Sequence, residues 1–154
     1  MEPRMNIAQA QPEIYRAMRE LNRTVEGAGL DPKLLELIKI RSSQLNHCAY
    51  CIDMHTKDAR AIGETEQRLY ALSAWHEAPF FTDRERAALA LAEAVTVLTD
   101  GFVPDEVYAA AAEHFDEKEL ALVVWATTVI NGWNRVAVAT RMQPGEYVSH
   151  RTPA

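Results

Sequence analysis

At 154 residues, 48% of them hydrophobic, the chain has the length of one domain spanning 1–154 and can bury a core without disulfide staples or a structural metal. Its formal charge of −6 leaves no basic stripe to neutralise phosphates, which argues against a nucleic-acid partner. The opening MEPRMNIAQAQPEIYR lacks the apolar centre of a signal peptide, and no later run approaches the length of a membrane span, so a cytoplasmic protein with no membrane partner is expected.

Helix punctuation predicts seven helices and no strand. The first follows Pro12, with Ile14, Ala17, Met18, Leu21 and Val25 at helical spacing, and ends at Gly27 or Gly29. Asp31 and Pro32 open a second, whose apolar set is Leu34, Leu35, Leu37, Ile38 and Leu45. Asn46 is the expected cap of a third, running through Cys51, Met54 and His55 to Gly63. A shorter fourth carries Leu69, Tyr70, Leu72 and Trp75 and stops at Pro79. Thr82 and Glu85 have capping-box spacing and introduce an Ala-rich fifth helix reaching Leu98. Pro104 starts a short sixth. Asp116 and Glu119 lead into a long seventh, Leu120 to Met142, closed by Pro144 and Gly145. The Val-, Trp- and Thr-rich passage Leu122 to Ile130 stays helical because a cap precedes it and its apolar pattern runs on to Val138; Gly132 is a point where it could weaken. A helix so apolar on all sides reads as a buried central helix or an oligomer seam.

The segment HCAYCIDMH carries the chemistry. If a helix starts near Asn46, Cys48 lies in its first turn, where unpaired N–H groups and the positive dipole end favour a thiolate. Cys51 follows one turn later, and His55 stands four residues beyond it on the same face, placed to share the thiol proton. Such a pair can attack a peroxide or a disulfide and then be resolved by its own neighbour. Two inert buried thiols are the plain alternative, weakened because both cysteines of the chain fall within four positions and share a histidine. Zinc held by Cys48, Cys51, His55 and either His47 or Glu36 is chemically feasible, but the second half of a structural site is missing. A thioredoxin fold would need strands around the motif.

A longer pattern sharpens this: Glu36, eleven residues, Cys48-Ala49-Tyr50-Cys51, three residues, His55. It resembles the signature of the alkyl hydroperoxidase D-like branch of the carboxymuconolactone decarboxylase family, and Asn131-Gly132-Trp133-Asn134-Arg135 is also similar to members of that branch. The resemblance implies an all-α fold assembled as a homo-oligomer, trimer or hexamer. It further implies a thiol peroxidase or disulfide oxidoreductase with an antioxidant role and neither bound cofactor nor metal. Cys51 would be the attacking thiol and Cys48 the resolving one, with His55 and Glu36 as a proton relay. Substrate would be a hydroperoxide, and electrons would come from a dithiol partner, lipoyl-bearing or thioredoxin-like. Some members have a second histidine between the cysteines; here Tyr50 stands in that place, a poor base near neutral pH, and His47 is the alternative arm. Without the resemblance, Glu36 beside Lys39 would pass for a solvated surface residue; placed in the core, desolvation would push its pKa upward. Family members that decarboxylate or process lactones, and redox-sensing or metal-binding modules, are the rival functions.

The other features read as structural. Trp75, Trp125 and Trp133 are expected in core or interface packing, with Trp133 also placed to line the site. His76 and His114 sit near helix ends, and His150 in a polar tail. Asn131 and Asn134, in an apolar helix, need buried partners, at the site or at a subunit interface.

Overall fold

A computed structural model gives the fold over residues 2–152, and the described residues form eight α-helices, one 3₁₀ turn and no strand. The helices are α1 (Ile7–Ala10), α2 (Pro12–Glu26), α3 (Pro32–Leu45), α4 (Ala49–Ala61), α5 (Glu66–Ala71), α6 (Asp83–Thr96), α7 (Asp105–Ala112) and α8 (Glu117–Thr140), with the 3₁₀ turn Leu72–Ala74 extending α5. None is long and apolar enough to cross a membrane.

Local chemistry sets most of the helix starts. The Asp31 carboxylate accepts from the Leu34 N–H ahead of Pro32, the first residue of α3. The predicted capping box forms at α6, Thr82 with Glu85, and the acidic start of α8 proves to be a second one, Asp116 with Glu119. Helix α1, absent from the sequence reading, is a single turn capped by Asn6 and buries no residue, so it has no apolar period to reveal it.

The central helix is α3, where the sequence reading offered α8 for that place. Leu34 through Ile40 are seven consecutive buried residues, because α3 packs against α4, α6 and α8 at once. Leu34, Leu35 and Ile38 join Leu91, Phe115 and Val123 in one core cluster, while Leu37 and Ile40 join Leu72, Trp75, Phe81 and Leu89 in another. Each such fully buried side chain stabilises the fold by roughly 1.5–3 kcal/mol. A helix enclosed on every side also encloses its polar residues, which is why Glu36 and Lys39 lie inside the protein.

Helix α8 is continuous through Gly132, which gives room to α2: a Cβ there would stand 2.6 Å from the Met18 methyl carbon. Its outer face exposes Trp125 and Val138. The expected apolar face of α2 is likewise only partly inward: Val25 is buried, whereas Ile14 is 68% exposed and Leu21 42%. Helix α2 meets the bundle instead through Tyr15, Met18, Asn22, Val25 and Glu26, a mixed stripe that hydropathy alone does not pick out.

Candidate functional site

Cys48 is the N-cap of α4 rather than a member of its first turn. Its sulfur accepts from the Cys51 N–H at 3.3 Å, so a thiol group fills the place normally held by a hydroxyl or carboxylate. Asn46, the expected cap, closes α3 instead, and His47 turns the chain between the two helices at φ 53° with its side chain exposed. The Asn46 amide is drawn away to α8, donating to Asn131 Oδ1 at 2.8 Å and to Asn134 Oδ1 at 2.9 Å.

The two cysteines are joined as a disulfide with Cα atoms 5.4 Å apart. They lie in a small apolar cluster with Ile130 and Ala137 of α8, flanked by Tyr50, Trp133 and Met142. Cys51, though not Cys48, lines a cavity of about 270 Å³ between α2, α4, α8 and the chain after α8. Tyr15 and Trp133 form one wall, in edge-to-face contact with centroids 5.2 Å apart; His55, Asp58, Glu26 and Arg151 form a charged side.

Glu36 and His55 meet behind Cys51. His55 Nδ1 lies 2.8 Å from Glu36 Oε2, both side chains being buried. The other carboxylate oxygen of Glu36 takes Lys39 Nζ at 3.2 Å and Arg151 Nη2 at 3.3 Å. Burial alone would raise the Glu36 carboxyl, as expected for a core glutamate, but the facing His55 ring, Lys39 and Arg151 outweigh it and hold its pKa at about 2. The expected upward shift is therefore reversed: a buried carboxylate provided with cations stays ionised. An ionised Glu36 can only accept, so Nδ1 of His55 is the nitrogen that donates to it.

Several residues of this cluster escaped the sequence reading. Lys39, one turn beyond Glu36, also donates to Glu26 of α2. Asp58, one turn beyond His55, accepts from the Tyr147 hydroxyl at 2.8 Å and the Ser149 hydroxyl at 2.5 Å. Arg151 reaches Glu26 at 2.7 Å and Asp58 at 3.3 Å. Tyr147 is pushed up to about 12, by burial first and then by its bond to Asp58, so it holds its proton. Lys39 and Asp58 had a local signal in their one-turn spacing; the polar tail had none, because it docks from more than eighty positions away.

The remaining expectations divide. Tyr50 lines the cavity, but burial, with Tyr15 and Asp53 nearby, raises its pKa further and leaves it no base. Trp133 lines the cavity, Trp75 is buried and donates to Glu93, and Trp125 is 51% exposed. His76 is an exposed residue stacked on Trp75, His114 and His150 are exposed, and none of the three lines the cavity. Asn131 and Asn134 stand outside the lining of this cavity and are buried within the chain, bonded to Asn46, Thr96 and Ser43. As metal ligands, the sulfurs are engaged with each other. Glu36, His55 and Asp58 have ligand atoms within 4.8 Å of one another, yet both carboxylates already carry cationic side chains that would repel a metal.

Comparison with known proteins places the family and the fold. The family model for the carboxymuconolactone decarboxylase family matches residues 12–94, which include Glu36, both cysteines and His55. The uncharacterized protein YdfG of Bacillus subtilis (strain 168) is 43% identical over 139 residues, covering 90% of this chain and 95% of its own. A crystal structure of a protein of unknown function from Agrobacterium tumefaciens, proposed to be the antioxidant defence protein AhpD, superposes with a TM-score of 0.92 at 38% identity, over 95% of this chain and all of that one. The debrominase Bmp8, solved with 2,3,4-tribromopyrrole, shares the fold at a TM-score of 0.81 and 19% identity, over 90% of this chain and 74% of its own. The chain belongs to the carboxymuconolactone decarboxylase family and has the helical fold of its alkyl hydroperoxidase D-like members.

Proposed function

We propose that the protein reduces hydroperoxides through a Cys48–Cys51 dithiol cycle, with Cys51 attacking, Cys48 resolving, and His55 and Glu36 handling the proton. The carrying observation is the placement of the pair: Cys51 faces the cavity, Cys48 caps the helix behind it, and His55 stands one turn further along α4, bonded to Glu36 of α3. In the reduced enzyme, His55 Nε2 takes the Cys51 proton. The thiolate attacks one peroxide oxygen, forming an S–O bond as the O–O bond breaks, and His55 returns the proton to the departing alkoxide. The Cys48 thiol then attacks the sulfenic sulfur; water leaves and the disulfide forms. An external dithiol, lipoyl-bearing or thioredoxin-like, supplies two electrons and two protons to restore both thiols, and no bound cofactor takes part.

The test is peroxide consumption by purified, metal-free protein with a dithiol reductant, comparing wild type with Cys48→Ser and Cys51→Ser. Turnover lost in both variants supports the cycle. Absence of turnover in a wild type whose thiols are free, with several reductants tried, would move the assignment to a non-peroxidase member of the family or a redox sensor. We further propose a homo-oligomer, trimer or hexamer, because Ile14, Leu21 and Trp125 expose apolar surface on two helices. Light scattering showing a monomer at micromolar concentration would contradict it.

A further inference from the structure

The segment after α8 has no regular structure, yet its residues 145–151 are tied to the site at every polar side chain that can reach it. The Gly145 N–H donates to Asp53 and the Gly145 carbonyl accepts from Lys57, which fastens the start of the segment to α4. Tyr147 and Ser149 then converge on Asp58, two residues of an otherwise exposed tail bonded to one buried carboxylate. The segment ends its run at Arg151, whose guanidinium reaches carboxylates on three different helices: Glu26 of α2, Glu36 of α3 and Asp58 of α4.

We infer that Arg151 is a positioning residue of the redox site, acting through Glu36 on His55 and setting the pH below which Cys51 stops reacting. The inference rests on the proposed dithiol chemistry and extends it to a residue far along the chain from the motif.

The charge pattern gives the reason. Three carboxylates, Glu26, Glu36 and Asp58, meet two permanent cations, Lys39 and Arg151, with His55 as the remaining member able to gain a proton. The tail adds the neutral Tyr147 hydroxyl, and α8 contributes only Trp133 and Ala137 to this wall, so no further charge enters from that side. Across the cavity Tyr15 and Arg19 of α2 and Tyr50 of α4 complete the titratable groups. Removing the guanidinium leaves Lys39 alone against three acids, and the Cys51–His55 pair then retains its extra proton to higher pH. This direction holds whichever of the two residues carries the proton, because the change concerns the total charge of the pair. Glu36, having lost one of its two cations on Oε1, also holds the imidazole less firmly in one orientation.

The test uses the full-length, reduced protein and iodoacetamide, an uncharged thiol reagent, following Cys51 modification by mass spectrometry between about pH 4 and pH 9. In Arg151→Met the acid limb of the rate profile is expected to move up by about one pH unit, the size of effect a unit charge exerts across several ångströms of protein. Arg151→Lys, which keeps the charge, is expected to restore at least half of that displacement, and it carries the test if the methionine variant does not fold. An unmoved acid limb in Arg151→Met overturns the inference, and so does an Arg151→Lys profile displaced as far as that of the methionine variant. Wild-type peroxide turnover measured on the same samples separates the two ideas. A displaced limb without turnover sinks the peroxidase reading and leaves Arg151 in place, and turnover with an unmoved limb does the reverse.

Discussion

Two buried polar clusters flank α3, and they are built on opposite plans. On the α8 side the groups are amides and hydroxyls, with one cation at the edge, Arg135, which donates to Asn131 Oδ1 at 3.1 Å. Asn46 donates to Asn131 and Asn134, Asn134 donates to Ser43, Asn131 to Thr96, and Thr96 to Ser42, each between 2.8 and 3.2 Å. On the α4 side the groups are ionisable: Glu26, Glu36, Lys39, His55, Asp58 and Arg151. Apart from Arg135 and backbone carbonyls, the neutral groups bond to one another, and they fix α8 against α3. The charged cluster borders the cavity that Cys51 lines, and its members can exchange a proton with whatever enters. A closed network contributes stability and specificity of packing, whereas an open one of ionisable groups supports chemistry.

The comparison breaks most visibly at Glu36. Glu36→Gln removes the negative charge that faces His55, turns one of the two accepting oxygens into a donor, and leaves Lys39 and Arg151 short of a counter-charge. Peroxide turnover is expected to fall about 10²-fold, and urea unfolding to show a loss of roughly 3 kcal/mol. Unimpaired Cys51 reactivity in this variant would remove Glu36 from the relay.

The next effect is on acid stability. The folded Glu36 carboxyl, at about 2, lies below its ordinary value near 4.5, so its contribution is present above the ordinary value and lost as pH falls through the folded one. Wild type is expected to lose about 3 kcal/mol of unfolding free energy between pH 5 and pH 2 from this group. Glu36→Gln, which has no such group, is expected to show a shallower decline, and parallel curves would contradict the assignment.

The smallest effect belongs to the neutral side. Asn134→Ala removes the bond that Ser43 accepts, leaving the one it donates to the Lys39 carbonyl, and one bond of Asn46, and a loss of about 2 kcal/mol is expected in urea. The pH profile of Cys51 reactivity should not move. A displaced profile would show that the two clusters are coupled through α3.

How far this contrast was legible in the sequence follows from the range of each interaction. The starts of α3, α6 and α8 rest on side chains bonding three residues ahead, and those were readable. The cap of α4 was not, because Asn46 has a stronger claim on α8 than on its own neighbours, which left the role to a cysteine. The Glu36–Cys48–Cys51–His55 pattern, read from a family resemblance, names residues that the structure brings together around one cavity. Its surroundings were hidden. Lys39 looked like the solvated partner of a surface glutamate until α3 proved to be enclosed on all sides, and Arg151 lay in a tail without periodicity. The expected rise in the Glu36 pKa failed for the same reason: desolvation is visible in an apolar neighbourhood, but the cations that offset it come from distant segments.

The most direct test of the division of labour between the cysteines is to treat reduced Cys48→Ser protein with one equivalent of hydroperoxide in the presence of dimedone and map the adduct by mass spectrometry. Cys51 is predicted to carry a stoichiometric sulfenic-acid adduct, because it faces the cavity and nothing is left to resolve it. Unmodified Cys51 after peroxide is consumed, or full modification of Cys48 in the converse Cys51→Ser protein, would contradict the account.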